Sequence, residues 1–398
     1  MNKDSKKQGL LEVLLYIIAP FIGFYNFMVR LKMPSKLGFL VLAVQLGASF
    51  YSFSETADFN TYFLRLDRFD GSLSTVIMGL LSGKDVDILE NLVYLFVTEL
   101  GGNHQFMILV FIFINALLYY NLAKFVLPKV SYDVWWTYVL LLLLVFSIQP
   151  MMYINQFRFY TGSLLLVYGA YRYIKSGKMR DMWLFIVLAG LTHFSLFLFL
   201  AVPIFIKLIQ KQNRFAYIIL LSCLALGQSF DSILGSLDLG HSAFNDRIYD
   251  YTGEIGVNLR ERLTNRVWYA VYLKKGILLV LTWIALRSLS KVHDLKQRLP
   301  LVIAIAFVSV IVLTFRFALS FRFDHLGIFL LSFILLQVNL VHSYRVWKLA
   351  LLPLIAIFLG IQIKSFLGML DTYWLFSNPI YELLIPKDGT LSEMINKT

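Results

Sequence analysis

The stretch Met182–Lys207, MWLFIVLAGLTHFSLFLFLAVPIFIK, is apolar except near its middle, where Gly190, Thr192, His193 and Ser195 interrupt it. It is long enough to cross a bilayer, which takes about 20 apolar residues. Its flanks argue against one simple crossing. Segment 172–181 carries four Lys or Arg and segment 207–214 carries three. Short basic loops stay on the cytoplasmic side, and one crossing puts these two on opposite sides. The stretch is therefore expected to form two half-helices that enter from the cytoplasm, turn near His193 and return, with an ordinary single span as the competing reading. Irregular backbone at that depth must be buried in protein or line a wet cavity.

The rest of the chain follows the same pattern. Of 398 residues, 59% are hydrophobic and 15% charged, whereas soluble domains run near 45–50% apolar and about 25% charged. Mean hydropathy is +0.71. A soluble enzyme, a disulfide scaffold and a disordered protein are excluded. The expectation is an all-α polytopic integral membrane protein, a single membrane domain over 1–398 with about 10–12 transmembrane helices. Spans are expected near 10–29, 37–53, 105–127, 134–150, 158–174, 215–235, 268–288, 300–320, 323–341 and 346–368. The N-terminus is basic and then apolar, without a small-x-small cleavage site, and reads as retained.

The net charge of +12 does not point to nucleic acid, because it is divided among short loops where topology explains it. Loops 30–36, 124–133, 172–181, 207–214, 287–298 and 345–348 are basic and expected inside. Segments 54–104, 231–265 and 369–398 hold 18 of the 24 acids. They are expected outside, as a loop with amphipathic helices, a second loop and a C-terminal tail. In the first of them, DILENLVYLFVTEL sets Ile88, Leu92, Leu95 and Phe96 opposite Asp87, Glu90 and Asn91. It is too short and charged to span, and reads as a platform against the membrane.

Ionisable groups inside spans are expensive and mark sites. Here they gather toward the outer side: Arg158 at the start of a span, Arg316 and Arg322 around an outer turn, Lys274 and Lys275 in YLKKG, and Lys364 near the end of the last span. Such a cationic group suits an anionic lipid headgroup, particularly a diphosphate, with Arg as a bidentate donor and Lys as a point charge. Snorkelling from helix ends is the competing reading for each arginine. His193, at the expected turn, is either a base or a buried hydrogen-bonded imidazole. The six histidines are scattered, so no metal motif is present, and no phosphate-binding Gly-rich loop or nucleophile elbow appears.

Five elements in order along the chain carry a resemblance. They are Asp58-x3-Tyr62; Glu90-x3-Tyr94; Gln156-x-Arg158, followed by the basic turn YRYIKSGKMR; LTHFSLF with His193 and Ser195; and the late RFALSFRFDH. On these the chain resembles the EpsG-like branch of the Wzy polysaccharide polymerases, membrane enzymes that polymerise lipid-linked repeat units. The family often carries Gly-Leu-Arg before the Asp-x3-Tyr. Here SFSET stands in that place, and Arg65 or Arg68 would have to compensate.

The resemblance implies an architecture related to the GT-C membrane glycosyltransferases, in a bacterial inner membrane, with a cavity open to the periplasm. It implies undecaprenyl diphosphate-linked oligosaccharide as substrate, membrane lipid as surroundings, and a flippase and chain-length regulator as partners. No cofactor or metal is implied. Arg158, Arg316 and Arg322, with Lys274 and Lys275, would hold donor or acceptor diphosphate. His193 or Glu90 would activate the acceptor hydroxyl, and Asp58, Tyr62, Tyr94 and Gln156 would position sugar. A glycan ligase, a flippase or transporter of the same lipid, and a membrane acyltransferase remain the alternatives.

Overall fold

A computed structural model describes residues 13–16, 35–49, 57–82, 87–127, 135–147, 156–236, 245–246, 248–249, 252–292, 294–316, 320–338 and 345–367. Among the described residues there is helix and no strand. The helices are α1 (Lys36–Ser49), α2 (Ala57–Asp67), α3 (Leu73–Leu81), α4 (Ile88–Glu99), α5 (His104–Val126), α6 (Trp135–Ser147), α7 (Phe157–Ser176) and α8 (Met179–Thr192). After a 3₁₀ turn over Phe194–Ala201 come α9 (Val202–Lys211), α10 (Arg214–Leu226), α11 (Phe230–Gly235), α12 (Glu254–Leu289), α13 (Leu295–Leu313), α14 (Ser320–Leu335) and α15 (Arg345–Leu367).

Three described segments are long and apolar enough to cross a membrane: His104–Val126, Phe194–Lys211 and Lys296–Leu313. Trp135–Ser147, Arg214–Leu226 and Leu351–Gln362 are shorter apolar helices. With an apolar composition on this scale, the chain is a membrane protein. The centre is formed by α13 and α14, whose residues 301–312 and 323–335 are buried all round. A helix apolar on every face belongs in such a centre. In lipid it is held by close packing more than by burial from water.

Cross-helix hydrogen bonds define two ends of the bundle. At one end the Gln210 side chain reaches the Tyr173 hydroxyl (3.5 Å) and Arg298 donates to Asn213 (2.9 Å). The basic segments 172–181, 207–214 and 287–298 meet there. At the other end Arg316 donates to the Gln228 carbonyl (3.3 Å), and the backbone N–H of Phe194 sits beside Asp87, the ion-pair partner of Arg158. Segments 172–181 and 207–214 therefore share one end, with the chain reversing at His193 between them. Gly177, at φ 67°, makes the tight turn from α7 to α8. Gly190 lets the reversal close, since a Cβ there would lie 2.4 Å from the Phe197 ring.

The reversal is deeper than the sequence suggests. His193 turns beside the first turn of α7 instead of half-way along it, so the limbs are not half-helices. Winding of Phe194–Ala201 as 3₁₀ raises the rise to about 2.0 Å per residue, which stretches the returning limb to the length of α7. Two boundaries move as well. The expected span 215–235 ends at Leu226. The expected outer loop 231–265 already contains the start of α12, a helix of 36 residues, or about 54 Å. Its early turns, EIGVNLRERLTNRVW, lack proline and intersperse Glu, Leu and Arg among poorer formers, and reading them for acids alone hides that a helix can begin there. On α4 the faces are reversed. Glu90 (3% exposed) and Tyr94 (1%) point inward, while Leu92 (39%) and Phe96 (50%) point out. The expected first span beyond 13–16, and the tail 369–398, lie outside the described residues.

Candidate active site

The end of the bundle that bears His193 carries two charged clusters. The first is built on α4, which packs across the start of α7. Glu90 lies on its first turn and Tyr94 one turn later, so both face α7. Arg65 of α2 spans the two Glu90 oxygens at 2.8 and 3.2 Å, and the Tyr94 hydroxyl donates to Oε1 at 2.5 Å. Arg158 Nη1 lies 3.1 Å from Glu90 Oε2 and donates to Asp87 Oδ2 at 2.5 Å. Its guanidinium also sits 5.8 Å from the ring centre of buried Tyr62. Burial and the adjacent Glu90 push the Tyr94 phenol well above its ordinary range, so it remains a donor.

Asp87 ties this cluster to the chain reversal. Its Oδ1 accepts from the Phe194 N–H at 3.1 Å, capping a 3₁₀ segment whose first amides have no partner within the helix. His193, immediately before, is extended (φ −152°, ψ 117°) and 5% exposed. Its Nδ1 pairs with Ser195 Oγ at 2.9 Å, and its ring stands edge-on to Phe159.

The second cluster lies between α12 and α14. Lys274 Nζ is 2.9 Å from His325 Nε2, and His325 Nδ1 is 2.5 Å from the Ser147 carbonyl. A carbonyl only accepts, so Nδ1 carries the proton and Nε2 accepts from Lys274. Lys275 donates to the Phe315 carbonyl at 2.5 Å. Arg322 stacks over Phe321 and lies near Tyr160 of α7. Its Nε is buried without a hydrogen-bond partner, as is Gln156 Oε1 at the cap of α7. Arg316 is exposed at the same end. Asp324 is fully buried and both its oxygens lack a hydrogen-bond partner. Phe159 and Phe323, 5.2 Å apart, stand between the two clusters.

A model of the EpsG family matches residues 36–379, most of the chain. The chain belongs to the EpsG family. No curated protein and no solved structure matches it. EpsG is a Wzy-like polysaccharide polymerase family, so this EpsG protein is a glycosyltransferase-like polymerase of the membrane, acting on lipid-linked oligosaccharide. Of the residues expected from its sequence, Tyr62, Glu90, Tyr94 and Arg158 meet in one cluster that reaches the backbone beside His193. Lys274 and Lys275 flank a different one, with Arg322 and Arg316 at the same end. The three arginines thus do not converge on a single point. Glu90 is docked against the start of α7 through Arg158. Asp58 falls in the first turn of α2, one turn before Tyr62, and Lys364 falls on α15; the side chains of both lie outside the described residues.

Asp87, Asp324 and His325 are site residues that the sequence pattern does not single out. Asp87 shares the polar face of α4 with Glu90 in the sequence pattern, and its spacing to Glu90 and Tyr94 (i, i+3, i+7) puts all three on one line of the helix, but the sequence gives it no role of its own. Asp324 stands inside an apolar run, where an acid is as telling as the arginines and lysines that were noted.

Proposed function

We propose that this protein polymerises undecaprenyl diphosphate-linked repeat units at the outer face of a bacterial inner membrane. It transfers the growing glycan en bloc to the non-reducing end of a new unit, on a GT-C-like scaffold. The observation that carries this reading is the cationic group Lys274, Lys275, Arg316 and Arg322, opposed by one carboxylate, at the same end as His193. Four cations suit a diphosphate, and preorganised charge where a leaving group develops is usually the largest catalytic term.

In this reading the acceptor hydroxyl attacks the donor's anomeric carbon as the bond to the diphosphate oxygen breaks. The electron pair leaves with the lipid diphosphate, which the cations neutralise, and the hydroxyl proton passes to His193. Glu90 suits the role of base poorly. An ionised carboxylate has about four acceptor sites, and Arg65, Arg158 and Tyr94 already crowd this one. We assign Glu90, Arg158 and Asp87 to holding the His193 turn against α4, and Asp58, Tyr62, Tyr94 and Gln156 to positioning sugar. Arg158, already flanked by two carboxylates, is the poorest diphosphate ligand of the arginines. Deleting the gene tests the activity. Single-unit glycan on the cell is the expected result; complete loss of surface glycan with intact intermediates would indicate a flippase instead.

A further inference from the structure

Asp324 has no role in that scheme. It sits on the first turns of α14, fully buried, with neither oxygen hydrogen-bonded. The charges that act on it are Lys275 and Lys274. Neither makes an ion pair with it, because one amine is held by His325 and the other by the Phe315 carbonyl. A lone carboxylate is costly in such surroundings, and removing it would leave every hydrogen bond of the cluster in place. A negative group inside a seat for a negative ligand needs a reason.

The chemistry of glycosyl transfer from a diphosphate supplies one. The donor is a diphosphate diester with about two negative charges. The departing prenyl diphosphate is a monoester with about three, since its terminal group ionises near pH 6. A purely cationic seat holds the product more tightly than the substrate, and the enzyme stalls. In its ionised form, which Lys275 and Lys274 favour and burial opposes, the carboxylate repels the more charged species more. We propose that Asp324 is the counter-charge that expels the prenyl diphosphate product, setting turnover through release. This inference rests on the diphosphate seat assigned above to Lys274 and Lys275.

The test uses the full chain in nanodiscs and two probes, farnesyl diphosphate and a farnesyl diphosphate glycoside. Asp324→Asn is expected to bind farnesyl diphosphate about tenfold more tightly, equivalent to about 1.4 kcal/mol, and the glycoside less than threefold more tightly. Its polymerisation should show a lower KM, a lower kcat and stronger inhibition by farnesyl diphosphate. A merely structural role cannot produce that gain in affinity. Asp324→Ser, a second uncharged variant, should tighten binding in the same way, and Asp324→Glu should restore wild-type affinity. Unchanged or weaker binding of farnesyl diphosphate by either uncharged variant overturns the inference. If wild-type binding is unaffected by Lys274→Gln and Lys275→Gln together, the diphosphate seat itself fails, and the inference with it.

Discussion

The two charged clusters differ in how their charges are answered. Under α4, two arginines face two carboxylates, every carboxylate oxygen has a partner, and Arg158 Nε is the buried atom left without one. Between α12 and α14, the lysines are held by a neutral imidazole and a carbonyl, and the carboxylate beside them has no hydrogen-bond partner. The difference teaches which cluster builds the site and which meets the ligand. A cluster with its charges balanced internally has little attraction left for an anion, and what it contributes is rigidity. A cluster with surplus positive charge attracts an anion and reorganises when one arrives.

Variants should separate the two. The largest effect is expected at Glu90→Gln, which leaves Arg158 beside a weakened partner. Breaking a buried ion pair from one side costs about 3–5 kcal/mol. Thermal unfolding and the amount of folded protein in membranes should show it, whereas Lys274→Gln should leave both close to wild type. Equal stability of the two variants would erase the contrast. Next is the double variant Lys274→Gln, Lys275→Gln. It should weaken farnesyl diphosphate binding by about 10–100-fold, or about 1.4–2.8 kcal/mol, as read by titration in nanodiscs.

Arg322→Ala should reduce polymer length on the cell, and Arg322→Lys should restore it only in part, because a point charge cannot reproduce a bidentate fork. Full rescue by lysine would demote Arg322 to a simple positive charge. The smallest effect is expected at Phe96, on the outward apolar face of α4. Phe96→Cys in a Cys223→Ser background should leave activity unchanged, and a fluorophore attached there should be quenched by lipids brominated near the headgroup, as an interfacial helix requires. Absence of quenching would mean that this face meets something other than lipid.

Much of this arrangement was legible in the sequence. Basic turns on either side of Met182–Lys207 required a reversal, and the residues that break its apolar run located it at His193. The depth was not legible, because a 3₁₀ stretch of Phe and Leu looks the same as an α-helical one. The pairing of Glu90 with Arg65 and Arg158 was also hidden. An acid on an amphipathic helix reads as solvent-facing when the opposite face is apolar, and in a membrane that expectation inverts. Lipid takes the apolar face and protein takes the polar one. Asp324 was hidden for a different reason: the charge count per segment treats one acid in a span as noise, although it is the one acid on α14 and is fully buried.

The most direct test is purified protein acting on lipid-linked repeat units, with product length read on a gel. The wild type should extend the units into a ladder. His193→Ala should lose about 10²–10⁴-fold of that activity, the usual contribution of a general base, while still binding farnesyl diphosphate through Lys274 and Lys275. Wild-type turnover by His193→Ala would contradict the account, since the reversal at His193 would then carry no chemistry.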